Sequence, residues 1–271
     1  MFSPYYAWSG FRDPENHCAI NVALYRAGAD RWAMTARGRA SLKREAAAIA
    51  VGPSAMQWRD DALKIEIEEW TAPLPTRLRG KITLRPEALA EGGFALDASG
   101  RHHWRPIAPR ARIEVAFEAP ALTWRGDAYL DCNWGDEPLE AGFRAWDWSR
   151  AHARQGATVY YDVQQRDGAE RTLALRFDRS GAAHAIEPPP RVALPGTLWR
   201  VARTGRGTER TKLRVLRTLE DAPFYARSAL VGDINGEPAD LVHESLSLER
   251  LTMPVVRAML PFRMPRIVAR R

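Results

Sequence analysis

"ALKIEIEEW" (62–70) alternates in character: Leu63, Ile65 and Ile67 fall on one parity, Lys64, Glu66 and Glu68 on the other. A strand sends successive side chains to opposite faces, so this stretch reads as a β-strand with one buried face. A helix would instead repeat its apolar residues every three to four positions. The same period of two recurs in "HCAINVALY" (17–25), "RLRGKITL" (77–84), "RIEVAF" (112–117), "TVYYDVQ" (158–164), "RTLALRF" (171–177) and "TKLRVLRTL" (211–219). Turn signals separate these runs: "DASG" (97–100), "RDGAE" (166–170), "DRSG" (178–181) and "NGEP" (235–238). So many strands of antiparallel type place the chain in the all-β class, as barrel or sandwich. One stretch departs from the pattern. "SLKREAAAIA" (41–50) is rich in helix formers and predicts a helix.

The chain has 271 residues, enough for one large β domain or two ordinary ones, and 45% of them are hydrophobic, enough for a core. No stretch approaches the roughly 20 apolar residues of a spanning helix. The first residues lack a basic segment followed by an apolar one, so no secretory signal is expected. Cys18 and Cys132 make neither a disulfide framework nor a zinc site, and each is expected to pack as a small apolar residue in a reducing cytoplasm.

A seam is expected in "EAPAL" (118–122), dividing the chain into 1–119 and 120–271, with "EPPPRVALPG" (187–196) as a long loop in the second half. "FSPYYAW" (2–8) reads as an aromatic strand with nothing ahead of it, so the first half is expected to lack an upstream strand.

Net charge is +7, and 36 of the 40 basic residues are Arg, the four lysines being Lys43, Lys64, Lys81 and Lys212. Such an excess is either a solvated surface or an attraction to an anionic one. It concentrates in the tail, 250–271, which carries six Arg and no acid among Leu, Met, Val and Phe. Pro254, Pro261 and Pro265 exclude a long helix there. The tail is either a strap over a barrel or an interfacial anchor on anionic lipid. No basic patch interleaves with aromatics in a nucleic-acid-binding module, so nucleic acid is not an expected partner.

Two short stretches carry chemistry. In "GRHHWRP" (100–106), His102 and Trp104 are two residues apart and share a strand face, with His103 opposite. In "AYLDCNWG" (128–135), Tyr129 and Asp131 share a face in the same way. Each pair sets a polar head beside an aromatic ring, and the pairs flank the expected seam, where ligand sites often form. A satisfied core hydrogen bond is the competing reading of such a pair. No HExxH, Cys/His cluster or carboxylate cage points to a metal, and neither a phosphate loop nor a GxSxG elbow is present.

The order and wording of several segments resemble the carotenoid 1,2-hydratases: "FSPYYAW…DPENHCAINVALY" (2–25), "WAMTARGR" (32–39), "GRHHWRPIAPRARIEV" (100–115), "YLDCNWGDEPLEAGFRAWDWSRA" (129–151), "PFYARS" (223–228) and "HESLSLERL…MLPFRMPR" (243–266). The resemblance spans nearly the whole chain. It implies two lipocalin-like β-barrel domains packed together, here with the N-terminal barrel incomplete. It further implies cofactor-free addition of water to the terminal double bond of an acyclic carotenoid such as neurosporene or lycopene. His102, Trp104, Tyr129 and Asp131 match the residues implicated in catalysis in that family.

Protonating an alkene needs an acid that is neutral at rest. Burial among aromatics raises a carboxyl pKa, so Asp131 is the expected proton donor, with His102 orienting or reprotonating it and Tyr129 holding water or the acid. Trp104, with Trp134, Trp146 and Trp148 as further substrate-lining candidates, would steady the cation through their π faces. The alternatives are a polyene isomerase or cyclase of the same fold, or a carotenoid or lipid carrier without activity. A cytoplasmic enzyme resting on a membrane face is expected.

Overall fold

The computed structural model describes residues 3–26, 30–153, 156–208, 212–234 and 237–267. Asn235 and Gly236 of the "NGEP" turn and residues 268–271 of the tail lie outside these. The all-β expectation holds: antiparallel sheets dominate, and the helices are short.

The chain forms two compact units, each drawn from separate segments. The first takes Met1–Pro86, Ala111–Ala128 and Arg257–Arg271; the second takes Glu87–Arg110 and Tyr129–Val256. The boundary expected between 119 and 120 therefore falls inside the first unit, and the tail from Arg257 joins that unit rather than the second.

In the first unit, the strands Leu42–Glu45, Ala48–Val51, Ser54–Arg59, Ala62–Trp70 and Arg77–Pro86 pair in sequence order. The part of His102–Ala119 from Ala111 continues them, pairing Val115 with Ile82 and Ile113 with Leu84. The apolar parity read from "ALKIEIEEW" is the core parity: Ile67 is buried, and Ile65 packs against the cluster of Val22, Val51, Leu78, Val115 and Phe117. Glu69 continues that parity and is fully buried. Arg37 holds it through two bonds of 2.9 and 2.8 Å, and Ser54 Oγ donates a third at 2.9 Å. A buried carboxylate persists only with such partners.

The helix expected over 41–50 is a β-hairpin, Leu42–Glu45 against Ala48–Val51. Pairing of Ala48–Val51 with Ser54–Arg59 extends the sheet, and Val51 enters the core. Tertiary pairing here outweighs the helix propensity of alanine. The strand expected at 2–8 is also corrected. Pro4–Trp8 is a one-turn helix capped by Ser3, whose Oγ accepts from Tyr6 N, with proline in the first turn where its missing N–H costs nothing. The loop expected at 187–196 contains a strand, Arg191–Ala193, paired with Thr204–Arg206. Cys18 packs against the first core as expected, whereas Cys132 is exposed.

In the second unit, seven strands run in the spatial order Ala183–Ala185, Glu170–Phe177, Gly156–Gln165, Phe143–Ala153, Glu237–Ser247, Tyr225–Ile234 and Arg214–Asp221. Gly156–Gln165 is buried along most of its length, on both faces, which shows that both sides of the sheet are covered. On one face Leu230, Leu241, Ala151 and Tyr160 form a core with Leu194. Within the described residues no strand pairing closes either large sheet on itself.

The tail contains the helix Pro254–Arg263, ten residues long with Pro261 inside it. Val256 is buried on it, while Val255, Met259 and Phe262, spaced as one stripe, are 60%, 38% and 71% exposed. No described helix is long and apolar enough to cross a membrane.

Candidate active site

All four residues paired by the strand argument lie in the second unit, rather than divided between two domains. His102 and Trp104 open the strand His102–Ala119, which runs on through Pro106. Both point inward and are 1% and 0% exposed. Tyr129 and Asp131 occupy one face of the strand Ala121–Gly135 and are partly buried.

Three of the four converge. Trp104 Nε1–H donates to Asp131 Oδ2 at 2.8 Å, and Tyr129 Oη–H donates to the same oxygen at 3.1 Å. Among the described residues, Oδ1 accepts no hydrogen bond. Burial is the largest influence on this carboxyl and raises its pKa; the two donors and Arg150 pull it down, Glu244 pushes it up, and the net shift is upward. Burial also drives the Tyr129 hydroxyl well above its usual value, with Asp131 adding to the effect, so it stays a donor.

With both donors on Oδ2, that atom is the carbonyl-like oxygen of the neutral acid, and the acidic hydrogen belongs on Oδ1.

His102 stands apart from this pair. The expectation is that it orients or reprotonates Asp131; its hydrogen bonds go to Asp97 instead. Asp97 Oδ2 accepts from the His102 backbone N–H at 2.9 Å and pairs with Nδ1 at 2.8 Å. Ser99 Oγ and Arg101 N donate to Asp97 Oδ1 at 2.6 and 3.1 Å. Burial alone would raise the Asp97 pKa; these donors outweigh it and hold the carboxyl well below the usual range. An ionised Asp97 faces Nδ1 of the imidazole, and Nε2 is buried with no partner among the described residues. The ring is wedged by two glycines. A Cβ at Gly135 would sit 2.8 Å from Cδ2, and one at Gly142 2.6 Å from Cε1.

Asp97 is the residue that the sequence reading missed. It opens the "DASG" turn, and an Asp in that position typically accepts hydrogen bonds from residues just ahead of it. The signal was present but was read only as a turn.

Aromatic rings surround the acid. Trp104 contacts Phe94 at 5.6 Å and the edge of Tyr161 at 5.7 Å between centroids. Tyr129 contacts Trp148 at 5.4 Å, and Trp146 meets Tyr161 at 6.0 Å. Trp146 and Trp148 thus share one face of Phe143–Ala153, and both belong to the aromatic cluster. The Arg150 guanidinium, on the same face, lies 5.1 Å from the centroid of the Tyr129 ring. Trp134 is not part of this cluster. It has the opposite parity to Asp131 on its strand, stacks on His103 at 5.1 Å, and is 48% exposed.

The other face of Phe143–Ala153 carries Asp147, in a separate polar cluster. Asp147 Oδ1 accepts from Ser245 Oγ and from Thr204 N. His243 Nε2 lies 3.1 Å from Ser245 Oγ and 3.7 Å from Asp147. Arg206 pairs with Asp162 through two nitrogens, one at 2.9 Å.

The family model for carotenoid hydratase CrtC matches residues 1–271. An acyclic carotenoid 1,2-hydratase from Thiocapsa roseopersicina is 51% identical, over 98% of this chain and 67% of that protein. One from Rubrivivax gelatinosus is 46% identical over the same shares. One from Cereibacter sphaeroides is 39% identical, over 98% of this chain and 95% of that protein. Among solved structures, a candidate AttH from Nitrosomonas europaea aligns with a TM-score of 0.57 at 15% identity, over 84% of this chain and 80% of that one, a likeness of fold alone. On the full-length match and these identities, the chain belongs to the carotenoid hydratase CrtC family.

Proposed function

We propose that this chain hydrates the terminal double bond of an acyclic carotenoid, such as neurosporene or lycopene, to a tertiary alcohol. The observation that carries the reading is Asp131: a carboxyl with a raised pKa, both hydrogen bonds on Oδ2, and Oδ1 left for a proton.

Asp131 Oδ1–H protonates the less substituted alkene carbon, so that the positive charge falls on the tertiary carbon. The faces of Trp104 and Tyr129 steady that cation, each by about 0.5–2 kcal/mol. Water adds to the cation and its surplus proton returns to the carboxylate. The balance is one alkene and one water, and no redox step is involved. A cation–π contribution of this size cannot supply the whole rate, so positioning of the substrate end against Oδ1 carries part of it.

Water is scarce beside a polyene, and the substrate is a bilayer solute. The exposed stripe Val255, Met259 and Phe262, in a tail with an Arg excess, supports docking on an anionic membrane surface, which would bring the active unit to its substrate.

The test is an assay with lycopene in liposomes. The wild-type chain is expected to yield a product heavier by one water, and Asp131→Asn to lose about 10²–10⁴-fold in rate. A product of unchanged mass would indicate an isomerase or cyclase; lycopene recovered unaltered would indicate a carrier. An Asp131→Asn variant with a wild-type rate would overturn the acid assignment.

A further inference from the structure

We infer that Trp148 is the residue that holds the water added to the cation. This assignment rests on the hydratase reading above. The Trp148 ring is buried at 9% exposure, and its Nε1–H has no hydrogen-bond partner among the described residues. A buried donor left unpaired is unfavourable, so this N–H calls for an acceptor that arrives with the reaction.

The other donors on the acid are engaged. Trp104 Nε1–H and Tyr129 Oη–H both serve Asp131 Oδ2. The Trp148 ring lies 5.4 Å, centroid to centroid, from the ring of Tyr129, whose hydroxyl holds the acid. Its cross-strand neighbours are Tyr161 on one side and Glu244 on the other.

An indole N–H donates and never accepts. A polyene hydrocarbon offers it no lone pair. The acceptors that the reaction supplies are the oxygen of the attacking water and the hydroxyl that the water becomes. A water held by Trp148 uses one lone pair for the N–H and keeps the second for carbon.

The step then balances. The Asp131 Oδ1–H bond breaks as a C–H bond forms at the less substituted carbon. The free lone pair of the held water forms the C–O bond at the tertiary cation. The resulting oxonium loses a proton to the Asp131 carboxylate, which regenerates the acid. Trp148 is needed for capture of the cation and not for its formation, and this separates its role from that of Asp131.

The experiment exploits that separation. Wild type and Trp148→Phe are each incubated with lycopene liposomes in deuterated buffer. Hydrated product is measured alongside deuterium in the recovered lycopene, which reports cations that formed and returned to alkene by losing a proton. Trp148→Phe is expected to lower hydrated product at least tenfold while deuterium in recovered lycopene is retained or increased. Hydration at the wild-type rate would overturn the role, as would a parallel loss of hydration and exchange in a variant with a wild-type unfolding profile. If Trp148→Phe does not fold, benzothienylalanine at position 148 keeps the bicyclic shape and exchanges the N–H for sulfur, and the same two readings decide. A wild-type chain that forms no hydrated product overturns the hydratase reading itself and this role with it; parallel loss in the variant alone overturns only the water-holding role.

Discussion

At the scale of single residues, the site is a problem in keeping one proton. Asp131 must be neutral to act, and its raised pKa extends the neutral form above the usual carboxylate range. Hydration is therefore expected to fall as pH rises through that raised value, because the acid ionises. Tyr129 works against the raised pKa, since its hydroxyl stabilises the carboxylate. Tyr129→Phe should thus move the alkaline limb of the rate profile to higher pH while lowering the maximum rate. A limb that moves to lower pH, in an otherwise folded variant, would contradict the arrangement on Oδ2. Much of this was legible in the sequence. Period two put Tyr129 with Asp131, and His102 with Trp104, on shared faces, and the structure joins Trp104 to Asp131. The partner of His102 was not legible in the same way. Alternation gives the face of a side chain but not which acceptor lies nearest, and Asp97 reaches His102 around a turn rather than along a strand.

At the scale of elements, the errors share a cause. "SLKREAAAIA" has the composition of a helix and forms a hairpin because a neighbouring strand was available to pair with it. "FSPYYAW" has strand-like aromatics and forms a helical turn because Ser3 and Pro4 make a better helix start than a strand. Local propensity is a weak prior, and pairing or capping partners decide. The tail shows the same competition. Its prolines kept the helix short, yet Pro254 opens it and Pro261 is tolerated near its end. This helix also sets how membrane docking is to be tested. Removing the segment would strip buried Val256 and Met264 from the fold, so truncation would confuse docking with stability. Val255→Ser with Phe262→Ser alters only exposed side chains. Burying an apolar side chain of this size contributes roughly 1.5–3 kcal/mol, so the double variant should lose at least about tenfold in binding to anionic liposomes. Retained flotation with the double variant would remove the helix from the docking surface.

At the scale of the whole molecule, the all-β class was readable and the partition was not. A seam at 118–122 assumes that each unit is one continuous segment, whereas both units here are built from separated segments, and His102–Ala119 contributes to each. Alternation carries no information on how far a strand runs past its own core. It does set Asp147 opposite Trp146 and Trp148, and that face holds two titrations of opposite sense. Burial raises Asp147 to about 6, against the pull of Ser245 and Thr204. Burial, helped by Arg203, lowers His243 to about 4. For Asp147 the folded state binds its proton more tightly than the unfolded chain, so its contribution is present below the ordinary carboxylate value and is lost as pH rises through about 6. For His243 the folded state resists protonation, so its contribution is present above the ordinary histidine value and is lost as pH falls through about 4. Each amounts to roughly 3 kcal/mol as an order of magnitude, and the two oppose each other over the same mildly acidic window. Relative to wild type, Asp147→Asn should lose stability as pH falls from about 6 towards 4, whereas His243→Asn should gain it. Denaturant unfolding across that window checks both signs. Two variants that track wild type in parallel would mean that neither group titrates differently in the folded protein.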